Sequence, residues 1–310
     1  MQEERIKARI IKSTGSWYTA EDTEGKIWQC RLRGKFKIQD LKVTNPIAVG
    51  DWVMLSAEDD ERAIIEEILE RENYIVRKSS RNQHKGHIIA ANIDQAVLIA
   101  TLKMPRTSLG FIDRFLVTAE AYRIPAAIIF NKKDLLRPRG IEYAQELFDI
   151  YEPLGYKCKL ISAQDSQDLE EIKNFFSNKL SVLSGHSGVG KSTLLNNIFP
   201  DAKQKTNEVS SFANKGTHTT TFAEMFRLNE NTYLIDTPGI KELALQEMEE
   251  DPLDHYFPEM RRLLGECRFH NCTHIHEPGC AVIEAVEEEK IALSRYHNYT
   301  GMLLGEESHK

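Results

Sequence analysis

Near the start of the chain, charged and apolar side chains alternate: Arg5, Lys7 and Arg9 against Ile6, Ala8 and Ile10. Trp28, Cys30 and Leu32 then alternate with Gln29, Arg31 and Arg33. A period of two is that of a half-buried strand, one face packed and the other wet. Val49–Leu55 and Ala63–Leu69 supply two more such runs. Several short strands packed this closely predict a small closed barrel over residues 1–72. The polar and basic stretch that follows reads as a linker over 73–90.

From Asp94 the pattern changes to apolar bursts separated by helix-like spacing. Gln95–Ala100, Ala126–Phe130, Cys158–Ile161, Ser181–Leu183 and Tyr233–Ile235 read as buried strands. Phe111–Tyr122, Ile141–Tyr151 and Lys191–Ile198 read as helices between them. The alternation predicts a mostly parallel sheet covered by helices, an α/β domain over 91–245. After Leu245 the chain turns acidic and helical, giving a mainly helical third domain over 246–310.

At 310 residues the chain is long enough for two or three domains, each with its own core. Its 41% hydrophobic and 28% charged residues fit a folded globular protein. No apolar run approaches the ~18–20 residues that span a bilayer, and Met1-Gln2-Glu3-Glu4-Arg5 lacks a signal peptide's apolar stretch. The expectation is a cytoplasmic protein with no membrane partner, and nothing demands more than a monomer. A net charge of −7 argues against nucleic-acid binding over the whole surface. The charge is segregated, however. Arg31, Arg33, Lys35 and Lys37 lie in a basic stretch of the barrel, while acid gathers at Glu247–Asp254 and Glu284–Glu289.

Gly185-His186-Ser187-Gly188-Val189-Gly190-Lys191-Ser192 fits GxxxxGKS between a predicted strand and a helix that continues through Thr193. The glycines let backbone amides converge on phosphate oxygens, and the helix N-terminus adds partial positive charge. Lys191 reaches the outer phosphates and the Ser192 hydroxyl suits magnesium. Asp236-Thr237-Pro238-Gly239 follows another apolar run, which places the Asp236 carboxylate at a strand end, suited to magnesium, and the Gly239 amide toward the terminal phosphate.

Asn131-Lys132-Lys133-Asp134 also stands at a strand end. A carboxylate such as Asp134 accepts from N1 and the 2-amino group of guanine, whereas adenine offers an acceptor at N1 and no 2-amino donor. A site built for that pair rejects the wrong base because its own polar group is left unsatisfied. Lys132 would lay its aliphatic stem along the base, and Ser162-Ala163 would close the pocket with a backbone amide. These motifs resemble those of translation-factor-related GTPases, but in altered order: Asn131–Asp134 and Ser162-Ala163 precede the phosphate loop. With a barrel before and a cysteine and histidine cluster after, the circularly permuted chain resembles the ribosome small-subunit-dependent GTPase A family over nearly its whole length. The resemblance implies a multidomain protein: an all-β OB-fold barrel, a circularly permuted α/β P-loop GTPase and a C-terminal zinc-binding domain.

Five cysteines make an odd number, and three crowd together in Cys267-x4-Cys272-x-His274-x5-Cys280. Three thiolates and an imidazole suit one tetrahedral, structural zinc with all four positions filled by protein. His270 and His276 compete for the fourth place, and the resemblance implies His274. It also implies Thr220 on magnesium, with Thr219 as its rival, and His218 as the residue that positions water beside the catalytic Lys191. Ile240 occupies the place after DxxG where many GTPases carry glutamine. The family reading makes the chain a GTP hydrolase, turning over GTP to GDP on the small (30S) ribosomal subunit and its rRNA during late maturation. Two other readings stand beside it: a guanine-nucleotide switch for another RNA or protein, and an RNA-binding zinc protein whose nucleotide site is structural.

Overall fold

The computed structural model describes residues 5–14, 17–33, 46–79, 82–200, 224–236 and 252–305. Lys35, Lys37, Thr193's downstream neighbours from 201 to 223 (with His218 and Thr220) and Gly239 lie outside those residues. The chain divides into two compact units that interleave along the sequence: 1–96, 166–184 and 192–242 in one, 97–165, 185–191 and 243–310 in the other.

The first unit opens with strands β1 (Arg5–Ser13), β2 (Tyr18–Asp22), β3 (Ile27–Leu32), β4 (Trp52–Ala57) and β5 (Arg62–Ile68). They run in the order β1-β2-β3-β5-β4, and β4 pairs back onto β1, closing a five-stranded barrel. Alternation dictates its core: Ala8, Ile10, Tyr18, Ala20, Trp28, Cys30, Val53, Leu55, Ala63 and Ile65 all point inward. Trp28 is therefore a core residue, its indole N–H donated to Asp22 at 2.8 Å, and offers no stacking face for a base. Trp17, by contrast, is 48% exposed.

The stretch read as a linker carries two strands. Strands β6 (Tyr74–Ser79) and β7 (Asn82–Ala91) pair antiparallel. Among the side chains described there, Ile75, Ile88, Ala90 and Ala91 are buried. Two of them, Ile88 and Ala91, pack with Ala48 in a small cluster of their own.

The same unit holds helix α3 (Ser166–Phe176), strand β11 (Leu180–Ser184), helix α4 (Lys191–Ile198), and strands β12 (Glu224–Asn229) and β13 (Thr232–Asp236). β13 runs parallel to β11 and antiparallel to β12. β12 in turn meets β1, with Lys12 opposite Glu224.

In the second unit, β8 (Gln95–Thr101), β9 (Ala126–Asn131) and β10 (Lys157–Leu160) lie side by side, β9 and β10 parallel. Every residue of β8 is buried, as expected of a strand covered on both faces. Helices α1 (Leu109–Ala121) and α2 (Pro138–Tyr151) pack on this sheet through Ile112, Leu116, Leu147 and Tyr151. Ser108 caps α1 by accepting from the Phe111 amide, and Pro138 starts α2 where no amide is needed. The C-terminal region adds α5 (Pro258–Arg261), α6 (Ala281–Glu287) and α7 (Leu293–Leu303), which share a core of Phe257, Met260, Val282 and Tyr299 with Val117 of α1. No helix of the described residues is long and apolar enough to cross a membrane.

Candidate guanine-nucleotide and metal sites

The base-reading residues sit where β9 and β10 end. Asn131 is the hub, and it is 3% exposed. Its side-chain amide donates to the Val189 carbonyl of the phosphate loop at 2.9 Å, and its carbonyl oxygen accepts from the Ala163 amide at 3.0 Å. One side chain thus ties three separate stretches, 131–134, 162–163 and 185–191, into one pocket wall. The Ser162 hydroxyl donates to the Asp134 carboxylate at 2.7 Å, aiming an exposed acid from a buried serine. Lys132 holds a left-handed backbone (φ 66°), and its ammonium donates to the Met104 carbonyl.

The phosphate loop depends on two glycines for room. A Cβ on Gly190 (φ +95°) would lie 2.4 Å from the Asn131 amide nitrogen, and one on Gly185 (φ +144°) would lie 2.3 Å from the Ile99 carbonyl oxygen. Lys191 opens α4, and its ammonium is held by the carbonyls of Gly185 and His186, the latter at 2.7 Å. The cation is thereby fixed over the loop instead of extending into solvent. The His186 ring stacks on Phe111 with centroids 3.8 Å apart. Burial, reinforced by the Lys191 charge, pushes the His186 pKa below its ordinary value, so the ring is neutral near pH 7. Ser187 and Gly188 of the loop are exposed, as are Ser192 and Thr193 of α4. Asp236 ends β13, opposite Glu224 in the β12 register.

The family model for the RsgA N-terminal domain matches residues 7–65, and that for the RsgA GTPase matches 68–246. The second alone spans more than half of the chain. The chain belongs to the RsgA GTPase family. Among RsgA proteins it is 54% identical over 307 residues to the small ribosomal subunit biogenesis GTPase RsgA of Cytophaga hutchinsonii, covering 98% of this chain and all of that one. It is 46% identical over 305 residues to RsgA 2 of Bacteroides thetaiotaomicron, covering 98% of each. Two solved structures share the fold. YjeQ from Thermotoga maritima matches with a TM-score of 0.77 and 35% identity over 99% of this chain and 100% of that one. YloQ, described as a circularly permuted GTPase, matches with 0.75 and 30% over 99% and 96%.

The second site lies in the C-terminal region. Cys267, Cys272, His274 and Cys280 bring their ligand atoms within 4.8 Å of one another. Cys267 Sγ is 3.6 Å from His274 Nδ1 and 3.9 Å from Cys280 Sγ, and His274 Nδ1 is 3.3 Å from Cys280 Sγ. A tetrahedral ion with ordinary metal–sulfur and metal–nitrogen bonds needs edges of about 3.8 Å and about 3.6 Å, so the four groups could hold a metal ion. His270 and His276, the sequence rivals of His274, are exposed.

Sequence reasoning missed the residues that hold these ligands. His274 turns Nδ1 to the sulfurs and Nε2 to the Asp254 carboxylate at 3.2 Å. That hydrogen bond raises the metal-free His274 pKa to about 9, and it outweighs burial to hold the Asp254 carboxyl below its usual value. Glu277 accepts from the amides of Thr273, Ile275 and His276 and from the Thr273 hydroxyl, bracing the ligand loop. Cys280 caps α6 by accepting from the Ile283 amide. Burial opposes its thiolate, but this contact and His274 outweigh burial and lower its pKa.

The RNA-binding candidates present a plainer picture. Arg31 donates to Glu58 at 2.6 Å and Arg33 to Glu66, both on the exposed outer face of the barrel. Half of the basic quartet is therefore already partnered by carboxylates.

Proposed function

We propose that this chain hydrolyses GTP and does so as a maturation factor on the small ribosomal subunit. The observation that carries the reading is Asn131, whose side chain joins the phosphate loop to the Ser162-Ala163 loop. It makes a pocket in which the phosphate-binding and guanine-reading parts are one rigid wall despite their reversed order. The relatives' names, small ribosomal subunit biogenesis GTPase, support the partner.

In this reading the Gly185–Gly190 amides and Lys191 bind the phosphates, and the carbonyl-held ammonium waits where negative charge develops. Asp134, aimed by Ser162, selects guanine, and Lys132 flanks the base. Ser192, Asp236 and Thr220 are the hard oxygen donors for magnesium, which when bound neutralises phosphate charge. His218 orders the attacking water once the subunit holds it. Phosphoryl transfer is mainly positioning and charge stabilisation, so turnover is slow alone and rises on the subunit. The cysteine and histidine cluster holds one structural zinc, since four protein ligands leave no position for water. Residues 1–72, 91–245 and 246–310 act as RNA-docking barrel, timing domain and zinc module. Arg31, Arg33, Lys35 and Lys37 supply the barrel's charge toward rRNA. The protein works in the cytoplasm as a monomer.

GTP turnover with and without purified small subunits tests this. Stimulation is expected, and His218→Ala removes it; no stimulation with intact turnover points to another partner, and no turnover overturns the enzyme. Asp134→Asn is expected to move preference from guanosine to xanthosine nucleotides, and unchanged preference would overturn the base assignment.

A further inference from the structure

Glu21 belongs to β2 of the barrel yet points away from its core, since Tyr18 and Ala20 fill the inner face. It is nonetheless only 6% exposed. One oxygen accepts from Arg227 Nη1 and the other from the Tyr233 hydroxyl at 3.0 Å. Arg227 and Tyr233 are directly opposed across the β12–β13 ribbon, so a single carboxylate clamps both members of one cross-strand pair. All three side chains line a cleft of about 760 Å³ at this junction.

The position of the clamp is informative. The β12–β13 register shifts between Arg227 and Asn229, an irregularity of the kind that re-aims side chains or ends pairing. Glu21 grips the last regular pair beside that irregularity. Three residues further along, the same register sets Glu224 opposite Asp236. In a strand pair a one-residue slip exchanges the two faces, so the register decides which face the end of β13 presents. A barrel that had only to fold would do better with an apolar group at a buried outward position than with a carboxylate.

We propose that Glu21 is a positioning residue for the magnesium-holding end of β13, fixing the ribbon register through Arg227 and Tyr233. The barrel thereby takes part in nucleotide binding without touching the nucleotide. This rests on the reading of Asp236 as a magnesium ligand given above.

The test uses the full-length chain and a fluorescent GDP analogue titrated over a range of magnesium concentrations and in EDTA. In Glu21→Gln and in Tyr233→Phe, the magnesium needed for half-maximal tightening is expected to rise about fivefold or more, the low end for coupling between sites, with affinity in EDTA unchanged. Tyr233→Phe removes one half-buried hydroxyl and decides the matter should the buried Glu21→Gln fail to fold. A wild-type magnesium requirement in Tyr233→Phe, or an equal loss with and without magnesium, overturns the proposal. Asp236→Asn separates the two ideas. If it keeps wild-type magnesium dependence, the reading of Asp236 falls; if it loses that dependence while the Glu21 and Tyr233 variants do not, only the clamp falls.

Discussion

The barrel and the C-terminal module with the cysteine and histidine cluster are both appended to the nucleotide-binding elements of their own unit, and they are attached in opposite ways. The module is fastened to α1 and α2 through Arg295, which is 1% exposed. Its guanidinium donates to Asp113 at 2.7 Å and to both oxygens of Glu259, while Tyr151 and Asn298 also donate to Asp113. Burial opposes the charge on Arg295, but Asp113 and Glu259 outweigh it and hold its pKa well above the ordinary value. Around this network lies the apolar cluster of Val117, Phe257, Met260 and Tyr299. The barrel meets β12 through its β1 strand, and both β12 and β13 through Glu21, whose partner Arg227 has 41% of its side chain exposed. One joint is dry and fully satisfied; the other is wetted along a cleft. A dry ion network costs several kcal/mol to open because each charge is left stranded, whereas a wet one exchanges its partner for water at small cost. The C-terminal module is accordingly built to stay with α1, and the barrel to yield.

The strongest way to break that contrast is Arg295→Met. Removing the cation strands Asp113 and Glu259 in the interior, and a loss of about 3–5 kcal/mol is expected in urea unfolding of the full chain. A loss under 1 kcal/mol would mean the dry joint is no stronger than a surface pair. Next in size is the metal site beside it. Asp254→Ala removes the acceptor that orients His274, and zinc affinity measured against a chelator should fall about 10- to 100-fold. The pH dependence carries a sign as well. Metal-free His274 keeps a proton up to about 9, and zinc needs the neutral ring, so affinity climbs as pH rises from 6 toward 9 with proton release on binding. Asp254→Ala lowers the His274 pKa and flattens that slope; an unchanged slope would separate Asp254 from the ligand.

The sequence made the two sites legible to different depths for a physical reason. Gly185, Gly190, Asn131 and Cys267 are readable because backbone room, guanine recognition and thiolate ligation each admit few residue types at fixed spacing. The barrel was readable from the alternation in β1 and β3, and β8 from its unbroken apolar run. Glu21, Asp113, Asp254 and Glu277 carry no such signal, since a lone acid on a strand or helix looks the same whether water or an arginine from far along the chain satisfies it. Arg227 and Tyr233 are more than two hundred residues from Glu21, so the clamp exists only in the fold. The β6–β7 hairpin carries no such signal for the complementary reason: Arg77 and Lys78, then Asn82, Gln83, His84 and Lys85, put polar residues in succession, so no period of two shows.

The smallest effect sharpens the contrast most. Arg227→Met leaves Glu21 with the Tyr233 hydroxyl and a wet cleft, so about 1 kcal/mol is the expected loss at low salt. Because 41% of the Arg227 side chain is open to solvent, added salt screens the attraction the variant removes, and the difference from wild type should shrink as sodium chloride rises from 0.05 to about 1 M. Arg295 sits where ions do not reach, and its variant should lose the same stability at both ends of that range. Unfolding both variants in both salts therefore measures wetness directly, independent of any absolute energy. If the Arg227→Met deficit stays constant with salt, the barrel joint is as dry as the other, and the barrel would be held to the ribbon as firmly as the C-terminal module is held to α1.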